Sequence, residues 1–210
     1  MMKEKIPVDW LKYENELYLQ GNELVCGVDE AGRGPLAGPV FAAAVILPKG
    51  HIVEGANDSK KLSEKKREIL FEKIKEEALY YSIAMVGEKT IDKVNILNAT
   101  FMAMNEAVNT LGVKPDFVII DGNKVPNDMQ YPSKAVVKGD ANSISIACAS
   151  ILAKVSRDRY MLEMAEKYPQ YQFEKHKGYG TKLHYQMLDE YGASEIHRQS
   201  FLRTWYAKHE

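Results

Sequence analysis

Apolar and polar positions along this chain fall into short blocks of differing period. Leu24 to Val28 is an apolar run, and residues 24–30 are predicted as a strand that closes on Asp29-Glu30. Residues 38–47 end in the unbroken run Val40 to Leu47, as expected of a strand buried on both faces. Leu79 to Val86 has the composition of a third strand. Residues 8–20 are predicted as a short helix. Asn57 to Leu62 is predicted as a loop, with Ser63 as N-cap of a charged helix over Glu64 to Ala78.

The second half alternates helix and strand. Asn95 to Leu111 has apolar residues at helical spacing, and Gly112 and Pro115 stop it. Phe117 to Ile120 is an all-apolar strand ending at Asp121. Residues 122–133, with Gly122, Pro126 and Pro132, are predicted as a loop. Ala135 to Lys138 returns as a fifth strand ending at Gly139-Asp140. A long helix is expected over Asn142 to Tyr168, its apolar face including Ile144, Cys148, Ile151, Leu152 and Val155. Further helices are expected over Thr181 to Tyr191 and from Ser194 to about Lys208.

Three strands come first, and strands then alternate with helices. That order predicts an α/β fold with a five-stranded mixed sheet flanked by helices and a C-terminal helical segment. A purely parallel sheet is disfavoured, because the link between the first two strands is too short for a crossover helix. Residues 1–22 are assigned to an N-terminal helical extension. Residues 23–210 are assigned to one domain, with C-terminal helices over about 181–208.

Composition narrows the class. The chain has 210 residues, 45% of them apolar and 27% charged, which suits a soluble globular protein. Its longest apolar run is far too short to span a bilayer, and its first ten residues lack a signal-peptide core. The expectation is a cytoplasmic protein without membrane attachment. Its two cysteines, Cys26 and Cys148, stand in apolar contexts and are read as buried thiols. Net charge is −1, which lacks the basic excess usual in nucleic-acid binders. A cluster of metal-binding acids would mask basic residues elsewhere.

Asp29, Glu30, Asp121 and Asp140 stand at or just past strand ends. Strand ends of an α/β sheet lie at one edge of the layer, where ligands bind. Carboxylates converging there would repel one another unless cations sat among them, and Mg²⁺ and Mn²⁺ favour such oxygen ligands. Two such ions about 3.5–4 Å apart can activate water and stabilise a leaving oxygen. Asp121 or Asp140 taken alone is equally well a polar residue where a strand meets solvent, and Asp140 also suits a helix start. The tandem pair Asp29-Glu30 is harder to explain that way.

Gly32-Arg33-Gly34 follows at once. Its glycines permit positive φ and close approach, and successive N–H groups in such a turn can form an anion-binding nest. Gly32 to Ala37 also satisfies the pattern G-x-G-x-x-A of a dinucleotide site. That reading fails, because a strand rather than a helix follows.

The segment GVDEAGRGPLAGPV (residues 27–40) resembles the signature of the ribonuclease HII family. Further stretches match that family in order: Asp58-Ser59-Lys60-Lys61-Leu62, Ile120-Asp121-Gly122, Lys138-Gly139-Asp140-Ala141 with Ser145 to Val155, Gly178-Tyr179-Gly180-Thr181 and His197-Arg198-Gln199-Ser200-Phe201. The match runs from about residue 24 to about residue 202. The glycine–arginine–glycine turn and the short N-terminus set the chain apart from the ribonuclease HIII family, which typically has a glycine–threonine–glycine turn and a larger N-terminal domain.

The resemblance implies a ribonuclease H-like fold and an endoribonuclease. It implies that Asp29, Glu30, Asp121 and Asp140 are the catalytic and metal-binding set, holding Mg²⁺ or Mn²⁺, two ions with substrate bound. It implies cleavage of RNA paired to DNA, and of a ribonucleotide embedded in duplex DNA on its 5′ side. The products would carry 3′-hydroxyl and 5′-phosphate ends, in keeping with ribonucleotide excision repair. Gly32, Arg33 and Gly34 would read the 2′-hydroxyl that marks RNA. Tyr179 would meet the sugar beside the scissile phosphate, and Lys60 and Lys182 would contact phosphate. A monomer is expected.

Four features carry weaker readings. Residues 171–185 interleave lysines with aromatics, as on a single-strand platform. Four of the five histidines lie between 176 and 209 without metal-ligand spacing, so they are read as surface or packing residues, with a substrate role conceivable only for His184. Lys154 and Asp158 have the i,i+4 spacing of a helix ion pair. Gln199 to Tyr206 has the outline of a sliding-clamp peptide, although its first residues lie in a family segment expected to pack on the core. A non-catalytic nucleic-acid module is the alternative from another class, and unneutralised acids argue against it.

Overall fold

A computed structural model describes residues 8–209. Helix α1 (Lys12–Leu19) precedes strands β1 (Val25–Ala31) and β2 (Val40–Ile46). Helix α2 (Glu64–Glu77) starts at Ser63, whose hydroxyl accepts from the Lys66 N–H, as the sequence predicts. Strand β3 (Tyr80–Val86) follows, then two helices, α3 (Glu88–Val94) and α4 (Ile96–Asn109). Only α4 is expected from the sequence. Asn95 adopts φ 68° between them and caps the Asn98 N–H, so the charged turn before it closes as a separate short helix.

Strands β4 (Phe117–Asp121) and β5 (Ser133–Val136) complete one sheet in the order β3-β2-β1-β4-β5. The β1–β2 and β2–β3 pairs are antiparallel, and the β1–β4 and β4–β5 pairs are parallel. The mixed five-stranded sheet is therefore as predicted. The fifth strand lies two residues earlier than its expected position over 135–138. Pairing with Val118 draws Ser133 into the ladder, and Lys138 turns left-handed at φ 56°, which ends the extended run.

Helix α5 (Ile144–Lys167) crosses one face of the sheet, and β1 and β2 are buried beneath it. Gly27 makes the close approach possible, because a Cβ there would strike the backbone of Ser145 and Ile146. On the other face, α4 packs Ala99, Ala103 and Ala107 against the sheet. Cys26 and Cys148 are buried free thiols, one in each layer, and burial raises the pKa of both. No helix among the described residues is long and apolar enough to cross a membrane.

After α5 the loop carries a four-residue helix, α6 (Phe173–His176), absent from the sequence reading, and then α7 (Lys182–Tyr191) as expected. The predicted final helix over 194–208 does not form as one unit. His197 bridges to Ala37, the Arg198 N–H donates to the Leu36 carbonyl at 2.8 Å, and the Gly38 N–H donates to the Ile196 carbonyl at 2.9 Å. This backbone pairing holds the segment extended. Helix geometry resumes only as a 3-10 turn at Gln199–Phe201 and in α8 (Arg203–Tyr206).

Candidate active site

Parallel pairing of β1 with β4 sets the site. Val28 pairs with Ile120, so Asp29 and Asp121 leave adjacent strands side by side. Asp140 comes from the 3-10 turn Gly139–Ala141 just past β5. Carboxylate oxygens of Asp29, Asp121 and Asp140 lie within 4.8 Å of one another. Glu30 is not part of that trio. Successive strand residues face opposite sides, so Glu30 points away from α5 and pairs with Arg33 at 3.3 Å. It borders the cleft beside the Gly32-Arg33-Gly34 turn as well as a smaller one shared with Asp121.

Each acid is held. Asp29 Oδ1 accepts the Glu30 N–H at 2.7 Å, and the nearby Ser150 hydroxyl on α5 opposes the rise of its pKa. Asp121 Oδ1 accepts the Gly139 N–H at 2.6 Å and more distantly that of Asp140 at 3.4 Å, which ties the Asp140 turn to β4. Asp140 does not cap α5. The Ser143 hydroxyl does, accepting from the Ile146 N–H.

Burial raises the pKa of Asp29, and the charges of Glu30 and Asp121 raise it further. Burial raises Glu30 too, against the opposing pull of Arg33. Asp140 is raised by burial and then by Asp121 and Asp58, with Lys60 opposing. The trio is thus a buried concentration of negative charge made of hard oxygen donors, which fits a divalent cation. Lys60 Nζ lies 3.6 Å from Asp140 Oδ2. Burial lowers the Lys60 pKa, but Asp140, Asp29, Asp58 and Asp121 together outweigh that and raise it.

The Lys60 loop is anchored to the site. Ser59 is buried, and its hydroxyl meets that of Ser150 at 2.9 Å. Arg67 donates to the carbonyls of Ser59 and Leu62 and pairs with Asp158, which also takes the predicted ion pair from Lys154 at 2.5 Å.

Beside the acids lies an open cleft of about 220 Å³ walled by Gly32, Arg33 and Gly34 on one side and by Lys60 and Lys154 on the other, with Tyr179 at its rim. Gly32 has φ 98°, and a Cβ there would collide with the Arg157 side chain. Gly34 is exposed next to Tyr179, which is 43% exposed and whose ring centre lies 5.7 Å from the Arg157 guanidinium carbon. Lys182 is exposed in the first turn of α7 and borders none of these clefts.

Two arginines that the sequence reading did not single out build this wall. Arg157 and Arg198 are fully buried, and their guanidinium groups are taken up by backbone carbonyls. Arg157 donates to the carbonyls of Ala37, Pro39 and Lys177, and Arg198 to those of Gly32, Arg33 and Gly38. They bind the loop carbonyls from behind. In the sequence, Arg157 is marked only by apolar Ala153 and Met161 on the same face of a long helix, and Arg198 only by its place in the segment His197 to Phe201.

Three of the histidines are packing residues, one of the two readings that their sequence spacing left open: His176, His184 and His197 are buried and adjacent. Rings of His176 and His184 stack at 4.4 Å, and His184 Nε2 meets His197 Nε2 at 3.0 Å. His184 Nδ1 lies 3.0 Å from the Tyr179 carbonyl oxygen, so it supports the Tyr179 loop from inside and has no access to a substrate. Of the clamp-like segment, Leu202 is wholly buried, and Trp205 Nε1 donates to Asp189 at 2.6 Å. That stretch is anchored through Leu202 and Trp205, while Gln199, Arg203 and Thr204 stay exposed.

A mixed sheet of this order, with acids on adjacent strand ends and a helix crossing the face beside them, defines a nuclease of the ribonuclease H-like class. The sequence profile of ribonuclease HII matches residues 26–205. A ribonuclease HII from Caldicellulosiruptor bescii is 58% identical over 196 residues, 93% of this chain and 95% of its own length. That of Caldicellulosiruptor saccharolyticus is 57% identical over 203 residues, covering 97% and 98%. Among solved structures, the ribonuclease H2 of Pyrococcus horikoshii aligns with a TM-score of 0.73 at 28% identity, over 88% of this chain and 98% of that one. The ribonuclease HII of Archaeoglobus fulgidus, solved in complex with PCNA, aligns at a TM-score of 0.71 and 25% identity, over 84% and 94%. The chain belongs to the ribonuclease HII family and is a ribonuclease H endonuclease acting on RNA/DNA.

Proposed function

We propose that this chain cuts the RNA strand of RNA/DNA hybrids and also the 5′ side of a single ribonucleotide embedded in duplex DNA, leaving 3′-hydroxyl and 5′-phosphate ends. The observation that carries this is adjacency: three carboxylates lie within 4.8 Å of one another, and Glu30 and Lys60, which stand next to them, line the cleft formed by the Gly32-Arg33-Gly34 turn and Tyr179.

Asp29, Asp121 and Asp140, with Glu30 from the far side of β1, would hold divalent ions, two of Mg²⁺ or Mn²⁺ in the substrate complex. Bound there, such ions would lower the pKa of a water so that it gives up a proton and becomes a nucleophile toward phosphorus, and would supply charge to stabilise the departing 3′ oxygen. The chain's own residues do the rest. Gly32 and Gly34 let the backbone approach a ribose closely, where a 2′-hydroxyl can both donate and accept. Arg33 tethers Glu30 and keeps its charge beside a phosphate. Tyr179 offers a ring face at the cleft rim, and Lys60 and Lys182 offer charge to neighbouring phosphates.

The test is cleavage of a DNA duplex carrying one ribonucleotide, in Mg²⁺ or Mn²⁺, by the wild-type chain and the Asp121→Asn variant. Cutting at the 5′ side of the ribonucleotide, abolished in the folded variant, is the expected result. Near-full activity of the variant would remove Asp121 from the reaction, and a wild-type chain that cuts only long hybrids would remove the single-ribonucleotide reading.

A further inference from the structure

We infer that Glu14, on the N-terminal helix α1, is a positioning residue that fixes the Asp140 turn relative to Asp29 and so sets the spacing of the acidic trio. The inference rests on the reading that the trio holds divalent ions.

Glu14 is 2% exposed, in a helix whose neighbouring Asn15 and Glu16 face solvent. It never touches the acids. Its Oε1 accepts three hydrogen bonds from the start of α5: the Ser143 hydroxyl at 2.6 Å, the Ser145 hydroxyl at 2.6 Å and the Ser145 N–H at 3.1 Å. The Ser143 hydroxyl has one hydrogen. Giving it to Glu14 leaves its lone pairs facing the Ile146 N–H, which they accept at 3.3 Å. Between these two serines, the Ile144 N–H donates to the Trp10 carbonyl at 2.9 Å. The first amides of α5 are therefore closed in large part by a segment more than a hundred residues upstream.

That turn of α5 is wedged. On one side is Glu14. On the other is Gly27, two residues before Asp29 on the same face of β1, where any Cβ would strike Ser145 and Ile146. The path from Glu14 to the acids is continuous. The Ser143 N–H donates to the Gly139 carbonyl at 2.8 Å, and the Gly139 N–H donates to Asp121 Oδ1 at 2.6 Å, with Asp140 next in the chain. The other Glu14 oxygen, Oε2, is buried and has no partner among the described residues. Its desolvation is a cost that the three bonds at Oε1 offset. Freed from Glu14, the first turn of α5 would fray, and Asp140 would drift from Asp29.

The experiment is isothermal titration of Mn²⁺ into the metal-free full chain, without substrate, for the wild type and for Glu14→Ala and Glu14→Gln. Removing a residue that orients metal ligands weakens affinity about tenfold or more. Glu14→Ala is expected to show that loss while unfolding cooperatively with unchanged circular dichroism, and its cleavage deficit is expected to close at high Mn²⁺. Glu14→Gln keeps the Oε1 acceptor and is expected to hold Mn²⁺ within about threefold of wild type, since each tenfold change is about 1.4 kcal/mol. A folded Glu14→Ala chain with wild-type Mn²⁺ affinity overturns the inference, and so does a Gln variant as weak as Ala. Should Glu14→Ala fail to fold, Ser145→Ala removes one of the three donors and carries the test, with wild-type affinity again overturning it. The underlying reading fails separately: Mn²⁺ would then bind Asp121→Asn as tightly as the wild type.

Discussion

Arg198 Nη2 donates to the Gly32 carbonyl at 2.6 Å, and the same guanidinium reaches the carbonyls of Arg33 at 3.0 Å and Gly38 at 2.8 Å. A buried cation thus takes up the inward-facing acceptors of the turn that borders the acids. Lysine cannot reproduce that planar fork. Arg198→Lys should leave buried carbonyls unpaired, lowering unfolding free energy by about 3 kcal/mol. Urea denaturation measures this, and a loss under about 0.5 kcal/mol, the range of surface substitutions, would contradict it.

The two glycines of the turn are held for different reasons, and alanine separates them. Gly32→Ala meets both a positive φ of 98° and the Arg157 side chain, so it should destabilise the fold. Gly34 has no such φ, and its Cβ would sit at ordinary contact, 3.8 Å, from the Tyr179 ring. Gly34→Ala should therefore keep its melting temperature within about 2 °C, a ΔΔG of about 0.5 kcal/mol or less. It should lose cleavage at an embedded ribonucleotide by about tenfold, or about 1.4 kcal/mol. Equal melting temperatures for the two variants would defeat the distinction.

Asp121 has two roles that can be split. Its Oδ1 holds the Gly139 amide, and its charge belongs to the trio. Asp121→Asn keeps an acceptor but not the charge. It should fold normally and show little of the rise in melting temperature that Mn²⁺ gives the wild type by mass action. Asp121→Ala should lose that rise and also about 1–2 kcal/mol of stability, from the unpaired Gly139 N–H. Differential scanning calorimetry with and without Mn²⁺ distinguishes the two, and an Asn variant as unstable as Ala would refute the division.

Tyr179 stands at the cleft rim with its ring accessible, while its carbonyl is held by His184 and its ring lies over Arg157. Base or sugar stacking on such a ring contributes about 1–3 kcal/mol. Tyr179→Ala should lower kcat/KM on a single ribonucleotide by roughly tenfold to a hundredfold. Tyr179→Phe should recover most of that if stacking is the role, and should behave like Ala if the hydroxyl matters. A Tyr179→Ala chain with wild-type kcat/KM would exclude both.

The sheet and the acids were legible because their signals are local. Strand runs ending in Asp29 and Asp121 need only period and composition, and parallel pairing then brings those residues side by side. Glu30 shows the limit: tandem acids look equivalent in sequence, yet strand alternation sends them to opposite faces. The carbonyl-binding role of Arg157 and Arg198 and the mutual contact of the three histidines were not legible. Packing was one reading of the histidines, and His197-Arg198 lies in a segment expected to pack on the core, but the partners come from loops distant in sequence. The missing last helix has the same origin, since the bridge from His197 to Ala37 spans most of the chain.

The histidine cluster gives the protein an acid limit. Burial lowers the pKa of His184 to about 4, helped by His176, and that of His197 to about 3, helped by His184; His176 is lowered as well. Unfolded, each would titrate near 6.5. Between those values the unfolded chain binds more protons than the folded one, so stability is full above about pH 6.5 and falls as pH drops toward 4. Proton linkage puts that loss on the order of 3 kcal/mol for each of His184 and His197 by pH 4. His197→Gln cannot take up that proton, and its amide can still meet His184. The variant should lose less stability than the wild type between pH 7 and pH 4, measured by urea denaturation at each pH. Protonation leaves the His184 Nδ1–H on the Tyr179 carbonyl but sets N–H against N–H at the His184–His197 contact; as that ring pair separates, the Tyr179 loop that His184 holds should shift with it, and cleavage should fall on the acid side together with stability. Parallel acid profiles for wild type and His197→Gln would show that the limit lies elsewhere.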